Sequence, residues 1–307
     1  AWSVSMCYED LNHKMINTYY AACESGEYLF MNNDIIYVAK ETEAQVPFTI
    51  TVYAEDGTAI ASEEFNFDAG NTDGALIKTA QGGMKADSLV NRMIKYQTDF
   101  SAKNPDYIDA PFLSNHDMAR MANTLVNDPD KIKTAAGLLM TMNGSPFVYY
   151  GEEIGMNSSG TKDENKRIPM VWSKTDTTGM TNGPADMDAG IKSPFPAEDE
   201  QKTDKDSILN YYKNALRLRN QNPEIARGTI EKVESLCKDS QAAITKTYQD
   251  STIGIVYNLG DKSCTVDLKK TALENMNLEG SLILKEDAVQ LKDGKLEMPA
   301  CSIAVLK

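Results

Sequence analysis

Three consecutive side chains, Asn115, His116 and Asp117, carry groups well suited to bind a polyol. An amide, an imidazole and a carboxylate in a row provide donors and acceptors that can hold vicinal hydroxyl groups. They follow the apolar run 108–113, which predicts a buried strand. We therefore expect these polar side chains at the carboxyl end of a strand.

A second set of candidates, Gly151, Glu152 and Glu153, directly follows the apolar run 146–150. Glu152 is the better candidate for an inward-facing acid, because it adjoins the glycine at the strand end. The alternative is that both acids are solvated and flank a tight glycine turn. The two tyrosines that end the apolar run are expected in the core rather than on a binding surface.

A third segment, KRIPMVW at 166–172, contains Arg167 and Trp172. The arginine can orient an acid or contact a ligand, and the tryptophan offers a flat apolar face for stacking on a sugar. The alternative is a loop that is fixed by Pro169 and a buried tryptophan, with no contact to any ligand.

Three segments, taken in chain order, resemble the alpha-amylase family of glycoside hydrolases (family 13): FLSNHD at 112–117, GEE at 151–153 and RIPMVW at 167–172. The resemblance implies that Asp117 stabilises an oxocarbenium-like transition state and that His116 binds the same sugar. Asn115, Arg167 and Glu152 are then further substrate-binding residues. The alternative for the first segment is that Asn115 and Asp117 cap a helix and that His116 is a core histidine.

The order of elements predicts an α/β protein. Helix signals at 87–100, 128–142 and 206–220 alternate with near-continuous apolar runs, as in a parallel sheet covered by helices. Beyond Gly228, short alternating runs and the turn Asp293-Gly294 predict antiparallel strands. With the resemblance, this predicts the later part of a (β/α)8 TIM barrel in residues 1–225 and a small antiparallel all-β sandwich domain in residues 226–307.

Two motifs of the family are not found in the sequence: Gly-(Phe/Ala)-Arg-x-Asp, which holds the nucleophile, and Gly-Glu-(Val/Ala)-Trp, which holds the acid. The start AWS is similar to the residues that come after that glutamate, so we expect residue 1 just after the catalytic acid. The segment 15–20 is similar to a tyrosine pair that trails it, and 65–68 to the family's sixth barrel strand. Residues 24–60 are expected to be an insertion, with a β-hairpin arm at 48–54.

Composition excludes some classes of function. The formal net charge of -14 argues against nucleic acid, which needs clustered Lys and Arg, while a neutral sugar carries no penalty. No apolar run approaches the about 20 residues that span a bilayer. No signal peptide is evident, and we expect an extracellular or cell-surface location rather than a cytoplasmic one.

Metal chemistry has little support in the sequence. Five separated cysteines and two histidines argue against a zinc site, so the thiols are expected to be reduced. The resemblance leaves calcium as an alternative, because the loop 157–203 is rich in carboxylates. No EF-hand spacing is present, and a solvated acidic loop is the default. These carboxylates are Asp163, Glu164, Asp186, Asp188, Glu198 and Asp199.

The sequence therefore predicts an alpha-amylase-type glycoside hydrolase that acts on α-1,4-glucans by a retaining mechanism, here without its nucleophile and acid/base. The expected partners are an oligo- or polysaccharide and the remaining half of the barrel. Two alternatives stay open: a non-catalytic glucan-binding relative, and a glucanotransferase of the same family.

Overall fold

The computed structural model describes five strands between residues 19 and 65 by their backbone, and then residues 72–158, 162–188, 193–285 and 287–307. The chain forms two compact units, Ala1–Asn71 and Thr72–Lys307. Among the described residues, no helix is both long and apolar enough to cross a membrane.

The first unit contains an antiparallel sheet in which each strand pairs with the next along the chain. Aromatic and β-branched residues are frequent in these segments, as a pleated sheet favours. The strands are β1 (Tyr19–Ala22), β2 (Glu27–Asn32), β3 (Ile35–Lys40), β4 (Phe48–Tyr53) and β5 (Ala59–Phe65). The predicted hairpin arm at 48–54 is thus one strand of a larger sheet.

The expected sixth barrel strand at 65–68 is described only at its first residue. Phe65 ends β5 and pairs with Phe48 in antiparallel register, so the described part of this segment is not a parallel strand. The rest of 65–68 lies outside the described residues, as does the expected continuation of a catalytic motif at the start of the chain.

The described part of the second unit contains seven α-helices, and those at 86–103, 129–141 and 208–221 confirm the predicted ones to within a few residues. The seven are α1 (Thr72–Ala80), α2 (Ala86–Lys103), α3 (Met121–Thr124), α4 (Pro129–Thr141), α5 (Glu198–Thr203), α6 (Ile208–Gln221) and α7 (Pro223–Arg227). The Asp128 carboxylate accepts hydrogen bonds from the backbone amides of Asp130 and Lys131, so it caps α4. Asp87, by contrast, lies in the first turn of α2, and Lys85 occupies the cap position.

A parallel pairing joins the two segments that were predicted as barrel strands. Phe112 bridges Phe147 in parallel, and the Phe147 and Ser145 amides donate to the Pro111 and Asp109 carbonyls at 2.8 and 2.7 Å. The helix α4 connects these segments, which gives a β-α-β crossover. Pro111 lacks the backbone N–H that would donate to the Ser145 carbonyl in this ladder, which limits how far the pairing extends.

The C-terminal part consists of two antiparallel sheets that pack face to face, as predicted. Their order is β10-β13-β8-β7-β6 and β11-β12-β9. The strands are β6 (Thr229–Lys232), β7 (Gln241–Tyr248), β8 (Ser251–Asn258), β9 (Cys264–Asp267), β10 (Leu278–Leu282), β11 (Gln290–Lys292), β12 (Lys295–Met298) and β13 (Ser302–Leu306). Asp293 and Gly294 both have positive φ, 54° and 77°, which matches the predicted tight turn.

One hydrophobic core continues from the helices into the larger of these sheets. Leu138 of α4, Tyr212 of α6 and Ile255 of β8 belong to the same buried cluster. At Gly137, an added Cβ would lie 2.5 Å from the Tyr211 hydroxyl and 3.0 Å from Ile303, so only glycine permits this close approach. The β-sandwich therefore supports α4, the helix between the paired segments.

Candidate functional site

The segment 114–117 forms a tight turn at the end of the first paired segment. The Asn115 side-chain oxygen accepts a hydrogen bond from the Asp117 amide at 2.9 Å. Such an Asx turn turns the chain back on itself. The side chains of His116 and Asp117 are 60% and 63% exposed, and His116 Nε2 lies 3.2 Å from the Asp117 carboxylate. The alternative of a core histidine is not supported by this exposure.

The helix-cap alternative for Asn115 and Asp117 also fails. The next helix, α3, begins at Met121, and Arg120 occupies its N-cap position. The two polar side chains are therefore free of helix capping and stand on an exposed turn.

Arg167 comes from a distant loop and contacts this turn directly. Its Nη2 lies 3.0 Å from the Asp117 carboxylate, and its Nε donates to the His116 carbonyl at 3.3 Å. The neighbouring Lys166 donates to the Asp117 carbonyl at 2.8 Å. The structure thus brings together four residues that the sequence singled out separately: Asn115, His116, Asp117 and Arg167.

Glu152 is an inward-facing acid, but it points into the protein rather than into a cleft. Its carboxylate accepts hydrogen bonds from the Ser114 hydroxyl at 2.7 Å and the Tyr212 hydroxyl at 3.2 Å. The side chain is only 1% exposed. Burial raises its pKa to about 7, and the two hydroxyl donors oppose that rise. The expected role as a substrate ligand is not supported by this geometry.

The position of Glu152 depends on the backbone of Gly151. This glycine has a φ of 83°, in the left-handed region, and an added Cβ would collide with the Met156 side chain. The chain then enters a short 3-10 turn, Glu152–Ile154, which sends consecutive acids in different directions. One acid faces Ser114 and the other faces a surface cleft.

That cleft has a volume of about 350 Å³ and is lined in part by Tyr150, Glu153, Arg167, Trp172 and Thr181. Trp172 is 50% exposed, so it is not the buried loop anchor of the alternative interpretation. Burial raises the pKa of Glu153, while the charge of Arg120 opposes that rise. Arg167 lines this cleft and also contacts Asp117, so the cleft and the Asp117 carboxylate are adjacent.

Arg120 was missed by the sequence interpretation. It is fully buried and lies against the rings of Tyr149 and Tyr150, with its guanidinium carbon 4.5 and 4.7 Å from their centroids. Its distance of three residues from Asp117 was the available signal. A buried arginine needs hydrogen-bond partners; here Nε and Nη1 donate to backbone carbonyls, while Nη2 has no hydrogen-bond partner among the described residues.

The acidic loop does not form a calcium site in its described part. Asp188 pairs with Lys162 at 2.6 Å, Asp163 with Lys166 at 2.8 Å and Glu198 with Lys202 at 2.8 Å. The hydrogen bond from Lys162 lowers the pKa of Asp188. Within the described ranges, no three His, Cys, Asp or Glu side chains converge as metal ligands. These three carboxylates therefore pair with lysines and are not arranged as the oxygen cage that calcium requires.

Comparison with known proteins agrees with this geometry. Residues 8–228 match the family model "Alpha amylase, catalytic domain". The chain is 35% identical over 186 residues to alpha-amylase SusG of Bacteroides thetaiotaomicron, a match that covers 57% of this chain and 26% of that protein. It is 32% identical over 166 residues to a 4-alpha-glucanotransferase of Thermotoga maritima, covering 50% of this chain and 35% of that protein.

Among solved structures, the chain is similar to Amy13B of Eubacterium rectale. The TM-score is 0.72 at 33% identity, over 79% of this chain and 48% of that chain. This likeness confirms the predicted fold class, the later part of a (β/α)8 barrel followed by an antiparallel β domain. In each of these matches the chain spans less than half the length of the relative.

Proposed function

Because the chain belongs to the alpha-amylase catalytic-domain family, we propose that it forms part of a retaining glycoside hydrolase that acts on α-1,4-linked glucans such as starch and maltodextrin. The observation that carries the proposal is the exposed Asp117 carboxylate, held by Arg167 at 3.0 Å at the end of a parallel-paired segment. In barrels of this kind, reacting groups stand at the carboxyl ends of the strands.

Asp117 has the chemistry of a transition-state stabiliser. Positive charge develops on the sugar ring as the glycosidic bond breaks, and a fixed carboxylate stabilises it. His116 and the Asn115 amide donate to sugar hydroxyls on the same face. Arg167 orients Asp117, since its Nη2 contacts the carboxylate while its Nε is held by the His116 carbonyl, and charged hydrogen bonds of this kind are strong and directed.

The cleft beside Arg167 supplies the binding surface. The exposed face of Trp172 stacks on a glucose ring, and Glu153 accepts hydrogen bonds from its hydroxyls. Glu152 acts as a positioning residue, because it holds Ser114, the residue just before Asn115. These roles replace the sequence-based expectation that Glu152 contacts the sugar.

Retaining hydrolysis needs two further carboxylates about 5 Å apart, a nucleophile and an acid/base. The family motifs for both are not found in this sequence. We therefore propose that the active enzyme combines this chain with the remaining part of the barrel, and that the chain alone binds glucan without turning it over. Residues 226–307 serve as its β domain and stabilise α4.

Titration calorimetry with maltotriose and the purified chain tests the proposal. We expect binding that D117A weakens by about tenfold, the cost of losing one charged hydrogen bond. D176A, at an exposed aspartate that contacts only its own loop, is the matched control and leaves binding unchanged. Absence of binding in the wild-type chain, or equal losses in both variants, would contradict the proposal.

Transfer is the second candidate activity, favoured by the 32% identity to a 4-alpha-glucanotransferase. Both reactions share the same covalent step and differ in whether water or a sugar hydroxyl accepts the glycosyl group. Chromatography of the products from maltotriose and the active enzyme separates them: glucose and maltose indicate hydrolysis, and longer chains indicate transfer. Binding without either product would identify a non-catalytic relative.

An extracellular or cell-surface location completes the proposal, because a polymeric glucan does not pass a membrane. Cell fractionation followed by immunodetection tests it, and recovery of the protein in the cytoplasmic fraction alone would reject it.

A further inference from the structure

Arg120 makes directed contacts with two segments that meet at the candidate site. Its Nε donates to the Lys166 carbonyl at 3.0 Å, and its Nη1 donates to the Tyr150 carbonyl at 2.6 Å. The residue is 1% exposed and occupies the N-cap of α3, shortly after the turn that carries Asp117. One side chain thus connects the ends of both paired segments and the loop beyond them.

Two tyrosine rings hold the guanidinium in place. The rings of Tyr149 and Tyr150 lie 4.5 and 4.7 Å from its carbon, within the range of a cation–π contact. The Tyr149 hydroxyl donates to the Lys166 carbonyl as well, at 3.2 Å. The carbonyl of Lys166 therefore receives two hydrogen bonds from this cluster of Arg120, Tyr149 and Tyr150.

The fixed carbonyl belongs to the peptide group that precedes Arg167. Locking that peptide limits where the Arg167 side chain can reach, and it reaches Asp117 at 3.0 Å and the His116 carbonyl at 3.3 Å. We infer that Arg120 is a positioning residue, which sets the guanidinium of Arg167 on Asp117 through the carbonyl of Lys166. The inference adds a residue to the proposed site. Its binding test rests on the proposed function, because that test measures affinity for a sugar.

Packing alone does not explain why a charged side chain is buried at position 120. Burying a guanidinium carries a desolvation cost, and an apolar side chain would fill the same space without that cost. Arg120 forms no ion pair with a carboxylate among the described residues, and its hydrogen bonds go to carbonyl oxygens. The guanidinium therefore contributes through the direction of its hydrogen bonds.

A double-mutant cycle with maltotriose tests this coupling. R120K keeps the charge but loses the fork, and we expect about tenfold weaker binding; Y149F removes one donor to Lys166 and should weaken binding about threefold. In the R167A background both substitutions should cost less than about twofold, since the residue through which they act is gone. R217K, at an exposed arginine on α6, is the matched control and should leave affinity unchanged.

Equal losses in the wild-type and R167A backgrounds would overturn the inference, because Arg120 would then act independently of Arg167. Unchanged binding in R120K would overturn it as well. If circular dichroism shows that R120K does not fold, the maltotriose affinities of Y149F in the wild-type and R167A backgrounds test the inference. That substitution removes only a hydroxyl group and keeps the ring in place.

Nuclear magnetic resonance tests the role of Arg120 without any sugar, so its result does not depend on the proposed function. In ¹⁵N-labelled chain, the Nε–H signal of Arg167, assigned with R167A, reports its hydrogen bond to His116. We expect R120K and Y149F to shift this signal and to speed its exchange with water, and R217K to leave it unchanged. If the chain binds no maltotriose, the proposed function fails while this signal still decides the role of Arg120. An unchanged signal in both variants would reject that role.

Discussion

The guanidinium of Arg167 lies 3.0 Å from the carboxylate of Asp117, although 50 positions separate the two residues in the sequence. Both side chains are substantially exposed, so the pair adds little to the stability of the fold. Its effect is on geometry, because it fixes the direction of the Asp117 oxygens toward whatever binds at the turn.

Removing this arginine should therefore affect activity more than stability. In the active enzyme we expect R167A to lower kcat/KM by about 100-fold, with a change in unfolding free energy below about 1 kcal/mol. R167K should fall between R167A and wild type, since lysine keeps the charge without the fork. Steady-state kinetics and urea unfolding measure the two effects, and a larger loss of stability than of activity would contradict the assignment.

The buried acid Glu152 should make stability depend on pH. Its pKa in the folded state is about 7, above the ordinary value of 4.5, so the folded state keeps the proton to higher pH than the unfolded state does. Stability contributed by the protonated form is thus present below about pH 4.5 and lost as pH rises to about 7, by about 3 kcal/mol. E152Q cannot ionise and should not lose this increment.

Urea unfolding of wild type and E152Q at pH 5.0, 6.0 and 7.5 measures that difference. Relative to wild type, the variant should gain stability as pH rises. E274Q, at an exposed glutamate, is the control and should follow the wild-type profile. A constant difference between E152Q and wild type across this range would show that Glu152 ionises with the same pKa in the folded and unfolded states.

We expect the exposed ring of Trp172 to contribute to ligand binding and not to the stability of the fold. We expect W172A to weaken maltotriose binding by about tenfold, because the apolar face of a sugar ring loses its stacking surface. W172F should retain most of the affinity, and neither variant should shift the melting temperature measurably, since the side chain is half exposed. Wild-type affinity in W172A would place the sugar elsewhere.

Among the described residues, Lys246 forms no hydrogen bond with the candidate site, and we expect it to contribute to the stability of the fold instead. Its fully buried ammonium donates to the Thr141 and Ile225 carbonyls and to the Asn143 side chain, at 2.6 to 2.8 Å. Burial, and then the charge of Arg219, lowers its pKa well below the usual range. K246M leaves three buried acceptors without their donor, which should cost about 3 kcal/mol in unfolding free energy.

Thermal and urea unfolding check this cost, with K213M at an exposed lysine of α6 as the matched control. A variant as stable as wild type would show that water or a rearranged loop satisfies the three acceptors equally well.

Local features of the fold were predictable from the sequence. Asp128 and Pro129 mark the start of α4, because an aspartate that caps a helix and a proline in its first turn act within a few residues. The turn at Asp293-Gly294 needs two positive φ angles, which few other residue pairs adopt readily. The alternating runs after Gly228 likewise specify strands by a period of two.

Long-range features were not predictable. The sequence favoured Glu152 over Glu153 as the inward acid because it adjoins Gly151, but its partners Tyr212 and Ser114 come from elsewhere in the chain. The only signal for Arg120 was its position three residues after Asp117, because its partners at positions 149, 150 and 166 come from elsewhere in the chain. The five-stranded sheet between residues 19 and 65 was expected as a single hairpin arm, because strand pairing depends on contacts between segments.

The sequence by itself determined the types of groups available, the capped helices, the alternating strands and the motifs that identify the family. The tertiary structure alone decided that Arg167 meets Asp117, that Ser114 and Tyr212 hold the Glu152 carboxylate, and that Arg120 links the segments around them. The physical reason is that propensity and periodicity act over a few neighbouring residues. Burial, ion pairing and pKa, by contrast, depend on groups that only folding brings within a few ångströms.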